Sequence, residues 1–444
     1  MTAVDTGTEQ PRAGVDEPGT GSRQLVAGGS LLVLAILVTN AGNYLLNLLL
    51  GRWLTPAEFS DANLMVTLML TFTSISVCLV MVSARFIGTR DAEGRHDDAE
   101  RLARTFRKWA LIAGLGIAVV LAGAAPLWSN VFRTGSAVPF VILACGMPFY
   151  FRCAVGRGVM QGRFRFRPLA VTYMVEMAVR LGLGTVLVAI GLGVNGATAA
   201  ASLSLVVAWG TVTLLSRHKA KGSSDGIADT TGVRKYALFV SVLLTGQIII
   251  NNGDVLISKI FLVPTEAGLY SAVALVGRAV FFLSWSVATV VFPVVASRHA
   301  KGHGGQGILA GGVVAVVGLG LTCTLGALFV GGPVLGVVLG PEYAGLSVPL
   351  AVYALATTLF AVANLIASHH LATHRLRESW VILAGAGVQT CLLLLLHGSI
   401  AQLITAQLIA MSLLLIAVVA SHFLPAPRGS SSPAVPVASA GSLG

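Results

Sequence analysis

Charge is scarce in this chain. Its 444 residues include only 11% Asp, Glu, Lys and Arg against 55% hydrophobic residues, whereas soluble globular domains hold about 25% charged residues. An aqueous fold is thereby excluded, because too little polar surface remains to enclose that much apolar side chain. Cysteine is scarce as well. Cys78, Cys145, Cys153, Cys323 and Cys391 are scattered, with no C-x-x-C pair and no ligand spacing, which argues against a disulfide framework and against a metal site. Nor is there a signal core: the first 24 residues are polar, and the apolar run that follows is too long for a cleaved leader. That N-terminal stretch is expected to stay attached and disordered.

What is present is a succession of apolar runs of roughly 20 residues, the length a helix needs to cross a bilayer. Their limits are 25–50, 62–82, 109–129, 136–154, 168–190, 194–216, 236–258, 267–295, 307–331, 346–367, 379–397 and 399–422. The last two are the least sharply divided, with only His397, Gly398 and Ser399 between them. The fold class is therefore an all-α polytopic membrane protein with about twelve transmembrane helices.

The 29 Lys and Arg exceed the 18 Asp and Glu, for a formal charge of +11. In a soluble protein that excess would raise nucleic-acid binding; here the basic residues sit in short loops and report topology instead. With the N-terminus inside, 24 of the 29 fall in inward segments, Arg52, Arg133 and Lys259 fall outside, and Arg180 and Arg278 lie within spans. Both termini are expected in the cytoplasm, with the chain multi-pass in the plasma membrane.

An internal repeat is visible. Leu54-Thr-Pro56-Ala-Glu58 returns as Leu262-Val-Pro264-Thr-Glu266, and Arg90-Asp-Ala92-Glu-Gly94 as Arg298-His-Ala300-Lys-Gly302, both at an offset of 208. Arg163-Phe-Arg165 pairs with Arg375-Leu-Arg377 at an offset of 212. Six spans per half is an even number, so both halves enter from one side and the repeat is parallel. The expected organisation is an N-tail (1–24), an N-lobe (25–216), a cytoplasmic linker (217–235), a C-lobe (236–422) and a C-tail (423–444). Two lobes around a central cavity are a common transporter plan.

The residues also resemble a family. Asn43 to Glu58, with Leu-Leu-Gly-Arg52-Trp-Leu-Thr-Pro56-Ala-Glu58-Phe and then Ser83-Ala-Arg85-Phe, resembles the start of bacterial polysaccharide-biosynthesis flippases of the multidrug/oligosaccharidyl-lipid/polysaccharide exporter superfamily. So do Gly156-Arg157-Gly158-Val-Met-Gln161-Gly162-Arg163, Asp254-Val-Leu-Ile-Ser-Lys259, Pro264-Thr-Glu266-Ala-Gly268-Leu-Tyr270, Gly277-Arg278 and Phe292-Pro293. The resemblance covers roughly 25–422 and is weak for substrate. It implies two six-helix lobes around a V-shaped cavity that opens alternately to either face. It also implies a polyprenyl-linked glycan substrate passed outward, its tail in membrane lipid and its pyrophosphate in a cationic or polar cavity.

Ionisable groups within spans cost about 2.5–3.5 kcal/mol each on insertion scales, so they are candidates for function. Asn40, Asn43 and Asn47 share one face of the first span; they either line the cavity for sugar or hydrogen-bond between helices. Gln247, Asn251 and Asp254, with Asn252 adjacent, form a similar stripe on the seventh span. Asp254 is either a cation-coupling carboxylate or an acid reaching the outer interface near Lys259. Glu176 and Arg180, four apart, can pair, as a neutral bridge or as a gated charge that substrate phosphate competes for. Arg278 has no acid one turn away and offers a planar fork for phosphate, so Arg180 and Arg278 are the phosphate candidates, with Asp254 and Glu176 as coupling candidates.

Other motifs carry less. His369, His370 and His374 lack carboxylates around them apart from Glu378, so no metal is expected. Gly191-x-Gly193-x-x-Gly196 follows no strand and reads as a turn, not a dinucleotide site. The basic loops most simply anchor anionic lipid. The leading function is a transporter flipping lipid-linked glycan precursors; the alternative is a cation-coupled exporter of drugs or metabolites, and a membrane-embedded glycan polymerase or ligase is disfavoured by short outward loops. No enzyme activity, no cofactor beyond proton or sodium coupling and no nucleic-acid partner is expected. The chain is expected to be monomeric, beside glycosyltransferases and a polymerase of its pathway.

Overall fold

The computed structural model describes residues 20–216, 230, 232–281, 306–372 and 377–423. Among them are twelve long helices and no strand. The first six are α1 (Thr20–Trp53), α2 (Pro56–Ala92), α3 (His96–Gly123), α4 (Val138–Gly162), α5 (Phe166–Leu187) and α6 (Gly193–Leu215). The second six are α7 (Val233–Phe261), α8 (Pro264–Gly277), α9 (Gln306–Val338), α10 (Ser347–Ala372), α11 (Arg377–Leu395) and α12 (Ile400–Phe423). The tails, most of the linker, Phe292-Pro293, the repeat copy at Arg298 and the residues around His374 lie outside the described residues.

The repeated Leu-x-Pro-x-Glu motif is a helix start. Before α2, Thr55 sits at φ −62° and ψ 156° and forms a reciprocal capping box with Glu58, closing two N–H groups that the helix itself leaves open. Before α8, Val263 adopts φ −66° and ψ 150°, followed again by Pro264 and, in the first turn, Glu266. Proline suits the first helical turn because no N–H is needed there. The expected turn near Gly191 reverses the chain between α5 and α6, which pack side by side, with non-helical backbone at Gly191 (φ +92°) and Gly193 (φ +49°). Glycine tolerates those positive φ values and bulkier residues do not.

Packing repeats as the sequence does. Within the first six helices the main contacts are α1 with α5, α2 with α4, α3 with α4, α4 with α6, and α5 with α6. Within the second six they are α7 with α11, α8 with α10, α9 with α10, α10 with α12, and α11 with α12. Each contact thus has its counterpart six helices later, and the chain is two six-helix lobes.

Close crossing of α2 and α4 depends on glycine. A Cβ at Gly158 would lie 2.5 Å from the Val80 carbonyl oxygen and 2.6 Å from Ser83 Cβ. Because backbone cannot step aside as a flexible side chain does, Gly158→Ala is expected to cost about 1–3 kcal/mol by overpacking. The thermal unfolding midpoint in detergent micelles reads it.

Three basic residues depart from the expected topology. Arg152 and Arg157, expected in the loop after a span ending at 154, both lie inside α4, which continues to Gly162. Arg157 is buried there because α5 supplies a carboxylate, which no local pattern in α4 announces. Lys259, expected in an outward segment, lies in the last turn of α7 and is buried. The division between the eleventh and twelfth helices falls between Leu395 and Ile400.

The lobes meet chiefly where α2 packs on α7 and α8; α1 makes no comparable contact with α8. At the face where α1 ends and α2 begins, opposite the termini, one apolar cluster joins both lobes. It brings Leu50, Leu54 and Phe59 against Leu262, Tyr270 and Leu339. A polar tie closes the same face: Lys259 Nζ meets Asp61 Oδ1 at 2.5 Å and donates to Ser60 Oγ at 2.6 Å, and Asp61 Oδ2 accepts from Gly135 N–H at 2.9 Å. Asp61→Asn is expected to weaken this closure by about 1–2 kcal/mol, between the values for exposed and buried pairs. Faster modification of a cysteine placed at Leu50 by a membrane-impermeant reagent would report it. At the terminal face, Arg85 sits 4.5 Å from the Tyr236 ring centroid and Phe86 packs edge-on against the same ring.

Candidate functional site

Among the described residues, each lobe holds a buried cluster of charged side chains within its own helices. In the N-lobe, Glu176 on α5 is shared by two guanidinium groups. Its Oε2 accepts from Arg157 Nη2 at 2.8 Å, and its Oε1 from Arg180 Nη2 at 2.5 Å. Arg157 also donates to Thr172 Oγ1 and to the Thr172 carbonyl, at 3.1 and 3.0 Å, and stacks 3.9 Å from the Tyr173 ring centroid. Arg180 donates through Nε to Ser204 Oγ at 3.2 Å and through Nη1 to Asn43 Oδ1 at 3.1 Å. Side chains from four helices thus join one cluster, two of them on its carboxylate. Two cations face one anion, so the cluster carries a net formal charge of +1 inside the membrane-spanning helices.

Beside it lies a cavity of ≈ 30 Å³ lined by Asn43, Asn47, Met69, Leu143, Arg180 and Thr198 among others. It has room for about two water molecules, not for a sugar. Asn47 Oδ1 is buried there with no protein partner, while its Nδ2 donates to the Asn43 carbonyl at 2.8 Å.

In the C-lobe, Asp254 on α7 is fully buried and its oxygens accept from three donors. Arg278 Nη2 reaches Oδ1 at 2.7 Å, and the hydroxyls of Tyr353 and Tyr270 reach Oδ2 at 2.7 and 3.0 Å. Arg278 Nε donates in turn to Tyr353 Oη at 3.2 Å. Arg278, whose acid is not to be found one turn away, finds it on the neighbouring helix, and Asp254 points to that arginine while Lys259 pairs elsewhere. This cluster is neutral.

The structure brings Glu176, Arg180, Asn43 and Asn47 together, and separately Asp254 with Arg278. The two phosphate candidates, Arg180 and Arg278, therefore belong to different clusters in different lobes. Asn40 is exposed on α1. Gln247 donates to Asn364 Oδ1 at 3.3 Å, and Asn251 and Asn252 donate to carbonyls of their own helix, those of Gln247 and Ile248. Arg157, Tyr270, Tyr353 and Ser204 are members that sequence reasoning missed. Arg157 and Tyr270 do stand in motifs that carry the family resemblance, Gly156-Arg157-Gly158 and Gly268-Leu-Tyr270, but nothing in those motifs assigns them a role.

The clusters are not copies of each other. Stepping back by 208, Asp254, Tyr270 and Arg278 correspond to Leu46, Ala62 and Leu70. Duplication kept the helix packing and not the charges, so the two lobes offer unlike surfaces to anything between them.

A family model described as "Polysaccharide biosynthesis protein" matches residues 49–348. No curated protein sequence matches the chain. Among solved structures, an inward-facing multidrug resistance MATE family transporter of the MOP superfamily aligns with TM-score 0.73 at 13% identity, covering 85% of this chain and 94% of that one. The lipid II flippase MurJ in an inward closed conformation aligns with TM-score 0.71 at 15% identity, covering 88% and 87%. A MOP superfamily transporter from Pyrococcus furiosus, described as having a binding pocket of reverse polarity, aligns with TM-score 0.62 at 13% identity, covering 91% and 98%. These likenesses show that the chain has the two-lobed helical fold of that superfamily.

Proposed function

The chain belongs to the polysaccharide biosynthesis protein family, and from that premise we propose that it carries lipid-linked oligosaccharide or polysaccharide precursors across the plasma membrane by alternating access of its two lobes. The observation that carries the reading is the uncompensated positive charge of the N-lobe cluster, Arg157 and Arg180 against the single Glu176. A buried excess cation is costly, and a (pyro)phosphate linking glycan to lipid is the anion that would balance it. The fold shared with a lipid II flippase supports the same reading.

Arg180 is the residue placed to do this. Its Nη1 holds only a neutral amide oxygen, that of Asn43, which a phosphate oxygen would replace with a stronger, charge-assisted hydrogen bond. Asn43 and Asn47 then face sugar hydroxyls. Arg278 is neutralised by Asp254 and brings no spare charge. The cavity beside Arg180 is lined by N-lobe residues alone and does not hold substrate as it stands; in this reading loading follows the rocking apart of the lobes at the terminal face, which opens the N-lobe surface. The bias of Lys and Arg toward that face supports its being cytoplasmic, so substrate enters from the side where such precursors are made and leaves outward. Glycosyltransferases and a polymerase would act before and after it.

A second reading, export of drugs or metabolites, is favoured by the fold shared with a MATE family transporter. Extraction of polyprenyl-linked species from a strain lacking the gene separates the two. Accumulation of an oligosaccharide-bearing species on the inner leaflet, reversed by the intact gene, supports the flippase; no change in that pool, with altered drug sensitivity, gives the exporter. In the complemented strain Arg180→Ala is expected to lower flux at least about 10-fold, the loss of a charge-assisted contact worth about 1.5–3 kcal/mol, and Arg180→Lys less so. Equal flux in wild type and Arg180→Ala would remove the phosphate role.

A further inference from the structure

Arg157, Arg180, Lys259 and Arg278 each meet a carboxylate. Arg152 does not. Among the described residues no acid and no hydrogen-bond acceptor reaches it, and its Nε is buried without a partner. Its one favourable neighbour is Trp209 on α6, whose ring centroid lies 5.4 Å from the guanidinium carbon. An aromatic ring offsets only part of the cost of placing a charge in hydrocarbon.

Arg152 is not near either end of its helix. Ten residues separate it from Gly162 at the terminal face and fourteen from Val138, about 15 Å and about 21 Å along the axis, in a hydrocarbon layer about 30 Å thick. Side chains on a helix lean toward its N-terminus, so Arg152 leans away from the nearer interface. A lipid headgroup is therefore poorly placed to answer it.

The surroundings are those of a helix-docking face. Val138, Val141, Cys145, Phe149 and Arg152 lie on one stripe of α4 at helical spacing, the first three exposed and the last two half-buried. Across from them α6 presents exposed Leu203 and Leu214, and at Gly210 a Cβ would meet nothing within 4 Å. Small residues of this kind let another helix approach closely. A second copy of the chain cannot supply the missing anion, because its own acids within the bundle, Glu176, Asp254 and Asp61, are already paired.

We propose that the α4–α6 face docks a transmembrane helix of a different membrane protein, one carrying an aspartate or glutamate near mid-bilayer that pairs with Arg152. Such a helix satisfies charge, depth and shape at once.

Cys145 is a built-in handle two turns from Arg152. In a Cys323→Ser, Cys391→Ser background, Cys145 is labelled with benzophenone maleimide in native membranes and irradiated. The expected result is a discrete protein adduct whose cross-linked helix, read by mass spectrometry, contains an Asp or Glu. Its yield should fall at least about 10-fold in Arg152→Leu, recover in part in Arg152→Lys, and fall equally when the partner's acid is made an amide. An adduct indifferent to Arg152→Leu, lipid adducts alone, or a partner helix with no acid overturns the proposal. Purified Arg152→Leu should unfold within a few degrees of wild type; a large fall would show that Arg152 serves the chain's own fold, and would overturn it too.

Discussion

Replacing Glu176 with glutamine is expected to destabilise the N-lobe by about 3–5 kcal/mol, the cost of breaking a buried ion pair by removing one partner. Glu176 is the only acid in contact with Arg157 and Arg180 among the described residues, and each of its oxygens serves one of them at 2.8 and 2.5 Å. Glutamine keeps the shape and loses both the charge and one acceptor. It turns an amide N–H₂ toward a guanidinium and leaves two like charges in one site. The unfolding midpoint in micelles should drop by many degrees. The control is Glu176→Gln with Arg157→Gln, which restores the wild-type net charge of the cluster. Because the two side chains share an interaction, their effects should be strongly non-additive, the double variant being more stable than Glu176→Gln alone. Additive losses would mean that the carboxylate does not bind the two arginines into one unit.

How much of this was legible in the sequence depends on how local each feature is. Helices were readable because a bilayer demands apolar runs of fixed length, and the repeat because helix starts have a short chemical signature, Pro56 and Glu58 returning as Pro264 and Glu266. The Glu176–Arg180 contact was readable because residues four apart lie on one helical face. What failed was non-local. Arg278 and Asp254 stand 24 residues apart on different helices, and only packing of α8 against α7 and α10 brings them to Tyr270 and Tyr353. Sequence alone places Arg152 and Arg157 in a loop, because basic residues normally end an apolar run. One of them stays in the helix because Glu176 arrives from α5. Spacing places the asparagines of each stripe on one helical face, but Asn40 is exposed, and Asn47, Asn251 and Asn252 turn their amides to carbonyls of the preceding turn, a local alternative that spacing cannot distinguish from a ligand contact.

Asp254→Asn should be as damaging to the C-lobe as Glu176→Gln is to the N-lobe, about 3–5 kcal/mol, and it also decides what Asp254 is for. The carboxylate satisfies three donors, from Arg278, Tyr270 and Tyr353. An asparagine has one acceptor oxygen for them, adds two donors of its own, and leaves Arg278 without a counter-charge. Asp254→Asn with Arg278→Gln removes charge and counter-charge together, so it should recover most of the stability and keep the protein folded enough to assay. If Asp254 carried the coupling ion, it would have to release Arg278 in every cycle, and transport by the double variant would no longer respond to an imposed proton or sodium gradient. With both oxygens already engaged, including one by a guanidinium that has no other acid in the described structure, the expected result is a slower transporter whose gradient dependence is intact. A gradient-insensitive double variant would instead return the coupling role to Asp254, with Arg278 as the group that displaces the ion.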